Sequence, residues 1–538
     1  MSSLLCWLLS AFAIGALALY LYGLNLVQRW RFRHLPGPKP AWLLGNLKDV
    51  SKNGIQLQRK LWHDEFGPIF VWWIGTVPGI SIADPEAARK FLLKANDKKM
   101  TLKQVEEDQT RRVNQHMLIF LGAEEARKIR SMWQPMFHSS NLSGFVPTMK
   151  EGAARLMARL HRAQREGKEV DMKRLLGDMT MDVVGSTAFG VDLATQKDDS
   201  TEGSGVDITT SFSAAVQKVF NGGLSPSAVM KNPLNMLSTL FHFTFPLANQ
   251  LGKVLRMLDM MPVETKELDT AHRILHNKSL ELSRSAVADV SSGQKEAQGA
   301  GSFLQHLAMS DKGLDNYQMA SQAFVFMLAG YETTANALAF AMYNLARYEE
   351  VYDKAAAEVD AYGDKPLEYA DLSAFPYLDA LIKETLRMYP PVPTTIARFL
   401  GSDMELCGYR IPSGCQAVVH TWHMQMNPAV FKEPEQFIPE RFIKGSSAHE
   451  DFHPYAYLPF GGGSRMCIGV KFAQEEMKLA LVHVPRTFKF RLSPGQVPLK
   501  ISAASTLQPK EGMFGQQHRP APLPLQRETG TLHGVEDG

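Results

Sequence analysis

Cysteine is scarce. Four residues (Cys6, Cys407, Cys415 and Cys467) serve a chain of 538, and no C-x-x-C pair occurs. That excludes a disulfide framework or a cysteine-rich zinc module and suits a reducing compartment. Excess charge is missing too: 58 Lys and Arg against 55 Asp and Glu leave a formal net charge of +3. Nothing therefore draws the chain to a phosphate polymer, and nucleic acid is not an expected partner. No G-x-G-x-x-G follows a strand-like run, so there is no dinucleotide fingerprint. Neither a repeat nor a long linker divides the middle. What remains is the balance of a folded globular protein, 45% hydrophobic against 21% charged, organised as one large domain.

Charged side chains are absent altogether from Leu4 to Val27. At about 1.5 Å per residue this run makes a helix of roughly 36 Å, enough for a hydrocarbon core of about 30 Å, so one transmembrane helix is expected. Arg29, Arg31 and Arg33 follow it, and the positive-inside rule leaves the rest of the chain cytosolic. A cleaved signal peptide would carry its basic region ahead of a shorter apolar stretch. Sugar on Asn141-Leu-Ser143 or Asn277-Lys-Ser279 would reverse this orientation. The expected division is 1–34 as membrane anchor and basic stop and 35–513 as the body, opened by the proline hinge Leu35-Pro-Gly-Pro-Lys-Pro40. Residues 514–538, with Pro520, Pro522 and Pro524, are expected as a disordered tail.

Short β-like runs such as Ile69-Phe-Val-Trp-Trp-Ile74 follow the hinge. Helical spacing dominates elsewhere, as in Tyr377-Leu378-xx-Leu381-Ile382-xxx-Leu386, so the expected fold class is mainly α with a smaller β part. Val219–Leu255 is apolar and interrupted by prolines, which suits either core or a surface dipping into a bilayer.

Near the carboxyl end stands Phe460-Gly-Gly-Gly-Ser-Arg-Met-Cys467-Ile-Gly469, followed by a helical pattern that Pro485 is expected to end. A cysteine at a helix start, approached by a glycine-rich loop, is suited to be a thiolate ligand, and Arg465 can reach an anionic group beside it. An isolated buried cysteine is otherwise a small core residue. Upstream, Ala329-Gly-Tyr-Glu-Thr-Thr334 lies inside an apolar run from Met319 to Leu345, hydrophobic around most of its circumference as a buried helix would be. Glu332, Thr333, Thr334 and Asn336 need partners there. Gly330 leaves room for a close neighbour. A threonine hydroxyl bonding the carbonyl four residues back would open a polar notch.

The ten-residue loop matches the haem-binding pattern F-x-x-G-x-R-x-C-x-G, and the chain resembles the cytochrome P450 family of haem-thiolate monooxygenases. That resemblance implies the family's triangular helical prism, with 35–513 as the haem-thiolate catalytic domain. It implies heme b (iron protoporphyrin IX) as cofactor and Cys467 as axial iron ligand. Phe460, Gly461, Arg465, Gly469, Ala329 and Gly330 are the further expected cofactor contacts. Glu332 and Thr333 become the acid and alcohol of a proton relay to dioxygen. Glu384-Thr-Leu-Arg387 with Arg441 becomes a structural triad, although taken singly the first pair reads as surface. Gly122 to Arg130 is similar to the family's W-x-x-x-R helix, but Ala126 stands at the Trp position. Arg130 and Arg398 are the expected propionate partners.

Phe375-Pro-Tyr-Leu378, Phe189-Gly-Val-Asp192 and His453-Pro-Tyr-Ala-Tyr-Leu-Pro459 look like the membrane-bound groups containing plant strigolactone-pathway oxidases, animal drug-metabolising enzymes and thromboxane synthase. By the same resemblance the partners are a membrane-bound NADPH-dependent flavoprotein reductase, dioxygen, membrane lipid and an apolar small molecule. Lys128, Arg127 and Lys471 are candidates for the reductase's docking surface. The implied location is the endoplasmic reticulum with the catalytic domain on the cytosolic face, or a plastid membrane. An isomerase or dehydratase acting on a hydroperoxide or endoperoxide without external electrons, and a non-enzymatic haem binder, are the competing readings. Residues 101–121, 205–250, 326–329 and Ser505-Thr506 are expected to line the pocket. His420-Thr-Trp-His423 has metal-like spacing but no third ligand, and Cys407 and Cys415 read as ordinary thiols.

Overall fold

The computed structural model describes residues 26–95, 116–196, 263–292, 301–363, 365–503 and 506–518, apart from positions 43, 76, 311 and 312, together with positions 23, 113, 214–216, 218 and 219. Nearly all of the apolar run Leu4–Val27 lies outside the described residues, as do most of 101–121 and 205–250 and the tail from 519. No helix among the described residues is long and apolar enough to cross a membrane.

The architecture is mainly helical with a smaller sheet part. The expected strand is β1 (Ile69–Ile74), an antiparallel partner of β2 (Val77–Ile82). Its side chains alternate between two apolar layers. Phe70 and Trp72 pack with Trp62 of α1 (Ile55–Phe66), while Ile69, Val71 and Trp73 pack with Phe32, Ile82 and Phe91. Covering on both faces explains why the run is nearly all apolar. The sheet continues through β4 (Gln416–Val419), parallel to β2, and ends on β3 (Arg398–Phe399), so Arg398 is fixed by a sheet edge. α2 (Pro85–Lys94) follows β2, with Pro85 at its first position and the Asp84 carboxylate accepting Ala87 N–H at 2.7 Å.

The larger core gathers α3 (Ala123–Trp133), α4 (Val146–Glu166), α5 (Met172–Val184), α6 (Val263–Ser291), α7 (Asn316–Arg347), α8 (Pro376–Met388) and α9 (Val470–Thr487). α7 is the expected all-round apolar helix. It starts three residues earlier than the apolar run, because Asp315 and Gln318 form a reciprocal capping box. It packs along α5 and α6.

Two boundaries differ from expectation. Pro485 does not end α9, which continues to Thr487. A proline in a last turn forfeits a single amide bond, and the Tyr352 hydroxyl takes the Pro485 carbonyl at 2.8 Å. The segment assigned to the tail from residue 514 begins with a strand, β8 (Phe514–His518), paired with β5 (Lys489–Leu492). Its Gly and Gln residues hid it, since ladder bonds need no apolar side chain. At Gly515 a side chain would meet the Arg491 carbonyl at 2.4 Å.

Candidate active site

The Cys467 loop is held by its backbone. Cys467 N–H donates to the Phe460 carbonyl at 2.9 Å, closing the loop on itself. Gly461 and Gly463 adopt φ of +72° and +68°. At Gly463 a Cβ would also lie 2.3 Å from the Leu92 carbonyl, whereas at Gly469 it would meet only Phe137, at 3.7 Å. Gly463, the glycine that fills the F-x-x-G position, is thus the sterically required one, whereas a side chain at the expected Gly461 would meet nothing and only its φ favours glycine. Cys467 is not at the helix start as expected. α9 begins at Val470, so the dipole contribution is less direct. Arg130 of α3, half-buried, interacts electrostatically with Cys467, which stabilises a guanidinium that burial chiefly destabilises.

The other two arginines are clamps. Arg398 is 1% exposed and donates to the carbonyls of Leu92 (2.9 Å) and Ala95 (3.1 Å) at the end of α2, and to Gly462 (2.7 Å) in the cysteine loop. A cation at a helix C-terminus satisfies carbonyls left without helical partners. Arg465 donates to the Leu121 carbonyl at 2.6 Å, just ahead of α3. Burial, with repulsion from Arg465 second, pushes Arg398 down to about 10. Two mutually repelling guanidiniums whose described hydrogen bonds go to carbonyls, with a third beside an exposed cysteine sulfur, suit a group that brings carboxylates and a thiolate-seeking metal. The donor set fits an iron porphyrin.

α7 carries the other expected site residues. Thr333 Oγ donates to the Ala329 carbonyl at 2.6 Å, the expected back-bond. Ala329 is exposed. Gly330 makes room for Val184 of α5, which an added Cβ would meet at 2.6 Å, so its role is helix contact. Phe326 does not simply line a pocket: it stacks on Trp133 of α3 with centroids 3.6 Å apart. This contact ties the helix bearing Arg130 to the helix bearing Thr333. Ala126 is fully buried.

Glu332 is buried and turned to the C-terminal hairpin β6 (Ile501–Ala503) and β7 (Leu507–Pro509). Thr506, expected to line the pocket, is itself buried and donates to Glu332 Oε1 at 2.9 Å. Burial raises the proton affinity of Glu332, and Thr506, Lys173 and Asn336 oppose it. Lys173 was legible in no motif, and Thr506 was expected at the pocket wall but not as a partner of Glu332.

Glu384 and Arg387 are fully buried, contrary to the surface reading of the isolated pair. Glu384 accepts Arg387 Nε and Nη2 at 2.7 and 2.9 Å, Ile438 N–H at 3.0 Å and Arg441 Nε at 3.3 Å. Arg441 also pairs with Glu450, which the spacing did not indicate. His420 and His423 pack with His63, and no cluster of three metal-ligating side chains occurs among the described residues. Burial pushes the Cys407 and Cys415 thiols up to about 11.

A family model described as Cytochrome P450 matches residues 35–515. The chain is similar to Cytochrome P450 3A5 of Homo sapiens, 29% identical with 98% of each chain covered. It is similar to Cytochrome P450 3A13 of Mus musculus, 30% identical over 94% of this chain and 95% of that one. To Cytochrome P450 3A40 of Oryzias latipes it is 30% identical over 88% and 90%.

Proposed function

This chain belongs to the cytochrome P450 family and is a haem monooxygenase, and on that premise we propose that it oxidises an apolar, membrane-partitioned small molecule, such as a terpenoid, sterol or fatty acid, with electrons from an NADPH-dependent flavoprotein reductase. The observation that carries the reading is the exposed Cys467, electrostatically coupled to Arg130, in a loop clamped by Arg398 and Arg465. Bound haem supplies the iron centre at which dioxygen is activated, and thiolate ligation favours O–O cleavage. Cys467 would hold the haem iron through its thiolate. Arg130, Arg398 and Arg465 are the proposed partners of the haem carboxylates, with Phe460, Gly461, Gly469, Ala329 and Gly330 in the surrounding walls.

Thr333 and Glu332 are the proposed proton-supplying pair. Thr333 Oγ keeps an acceptor lone pair while it donates to the Ala329 carbonyl, so it can accept a hydrogen bond from a water molecule. Glu332 is a buried carboxyl on the same turn that burial makes readier to hold a proton than an exposed one. Arg127 and Lys128, exposed on α3, and Lys471, exposed where it reaches Ser139, are proposed to face the reductase. The apolar run Leu4–Val27 followed by Arg29, Arg31 and Arg33 supports a single-pass anchor in the endoplasmic reticulum, with the body cytosolic.

Reconstitution with NADPH and a flavoprotein reductase tests this reading. Thr333→Ala is expected to keep consuming NADPH while product falls; unchanged coupling would remove Thr333 from the proton supply.

A further inference from the structure

The acid and the alcohol of α7 are adjacent in sequence yet engaged in opposite directions. Thr333 bonds its own helix, at the Ala329 carbonyl, while Glu332 bonds Thr506 in the C-terminal hairpin, 174 residues away in sequence. Lys173, in the first turn of α5, bonds Gln508 of the same hairpin, and its ammonium and Glu332 attract each other. The α5 start is itself tied to the chain beyond the hairpin, because Asp171 Oδ1 accepts both Lys173 N–H and Met513 N–H at 3.0 Å. The hairpin and the start of α5, both distant from α7 in sequence, therefore converge on one carboxyl.

We propose that Thr506 and Lys173 are positioning residues that fix the orientation of the Glu332 carboxyl and set its ionisation from outside the oxygen-activating helix. The inference rests on Glu332 being the acid of the proton supply. A hydroxyl donating to a carboxylate oxygen favours the ionised form, and so does a nearby ammonium. Both act against burial, which favours the neutral acid. From α7 itself Asn336 adds a weak donor at 3.5 Å, and from α5 Asp171 bears on Glu332 only through Lys173. Of the elements packed on α7, including α6, α8, α9 and β5, α5 contributes the charge that acts on Glu332 among the described residues. Burial on one side and these two restraints on the other thus act in opposite senses on the proton affinity of a single carboxyl.

The test is an infrared pH titration of the Glu332 carboxyl in the haem-loaded full chain, its band assigned by loss in Glu332→Gln. Thr506→Val and Lys173→Met are each expected to move the midpoint up by on the order of one pH unit, the scale of a lost hydrogen bond or charge partner. Thr506→Ser, which keeps the hydroxyl, and Lys173→Arg, which keeps the charge, are expected to restore it. Midpoints unchanged in both Thr506→Val and Lys173→Met would overturn the inference. If the midpoints move but the pH profile of coupling does not, the positioning stands and the reading of Glu332 as the proton-supplying acid falls.

Discussion

Trp133 lies flat on Phe326, with ring planes 3° from parallel. The pair joins α3, which carries Arg130 beside the cysteine, to α7, which carries Thr333. The tryptophan that the family pattern places at position 126 is absent, and an indole 1% exposed stands two turns later on the same face. Trp133 also meets Phe303 at 6.2 Å, so it anchors an aromatic cluster. Trp133→Ala should lower stability by about 3–5 kcal/mol, and Trp133→Leu by clearly less, since much of the volume stays filled. Urea unfolding checks both, and equal losses would show that filled volume is not what the indole contributes.

Glycine substitutions should separate space from spacing. Gly463→Ala puts a Cβ 2.3 Å from the Leu92 carbonyl at a φ of +68°, so the cysteine loop must shift away from α2. Loss of thermal stability by more than about 1 kcal/mol is expected, whereas Gly469→Ala, meeting only Phe137 at ordinary contact distance, should unfold close to wild type. Indistinguishable melting of the two variants would contradict this.

The buried triad should behave as a unit. Arg387→Met leaves Glu384 buried with Arg441 Nε at 3.3 Å as its remaining ionic partner, and frees the carbonyls of Gln425 and Pro434 that Arg387 now satisfies. Breaking a buried ion pair from one side costs about 3–5 kcal/mol, so thermal unfolding should show a loss of that size. A loss below about 1 kcal/mol would return the pair to the surface class.

Two buried histidines make the fold acid-sensitive. His63 uses both ring nitrogens, on the Gly67 carbonyl and the Ser81 hydroxyl, and His420 donates to the Gln56 carbonyl while accepting His423 N–H. Both are neutral in these roles. Burial pushes His63 down to about 3 and His420 well below its usual value. The folded state therefore binds fewer protons than the unfolded one, whose histidines titrate near about 6.5. Their stability contribution is whole above that pH and is lost as pH falls from about 6.5 toward 3, by about 1.4 kcal/mol per pH unit for each ring. Urea midpoints between pH 7 and 5 should fall more steeply in wild type than in His63→Gln, and parallel slopes would refute the assignment.

Short-range chemistry was legible in the sequence, and long-range convergence was not, apart from Arg441 meeting Glu384, which the family resemblance implied. Cys467, Arg465, Glu332, Thr333 and the Glu384 and Arg387 pair stand in runs of fixed spacing, where chain geometry alone puts them together. The mainly helical class followed from periodicity. Arg398 bonding Leu92 across 306 residues, Thr506 meeting Glu332, and His63 packing on His420 depend on tertiary folding, which no local pattern encodes. The strand Phe514–His518 was missed because its Gly and Gln side chains resemble those of a solvated segment.

Sulfur ligation by Cys467 is the claim on which the rest depends. The absorption spectrum of the reduced, carbon monoxide-bound protein measures it directly, wild type beside Cys467→Ser. A thiolate-type Soret band is expected in wild type and lost in the variant; the same band surviving in Cys467→Ser, or none in haem-loaded wild type, would contradict the assignment.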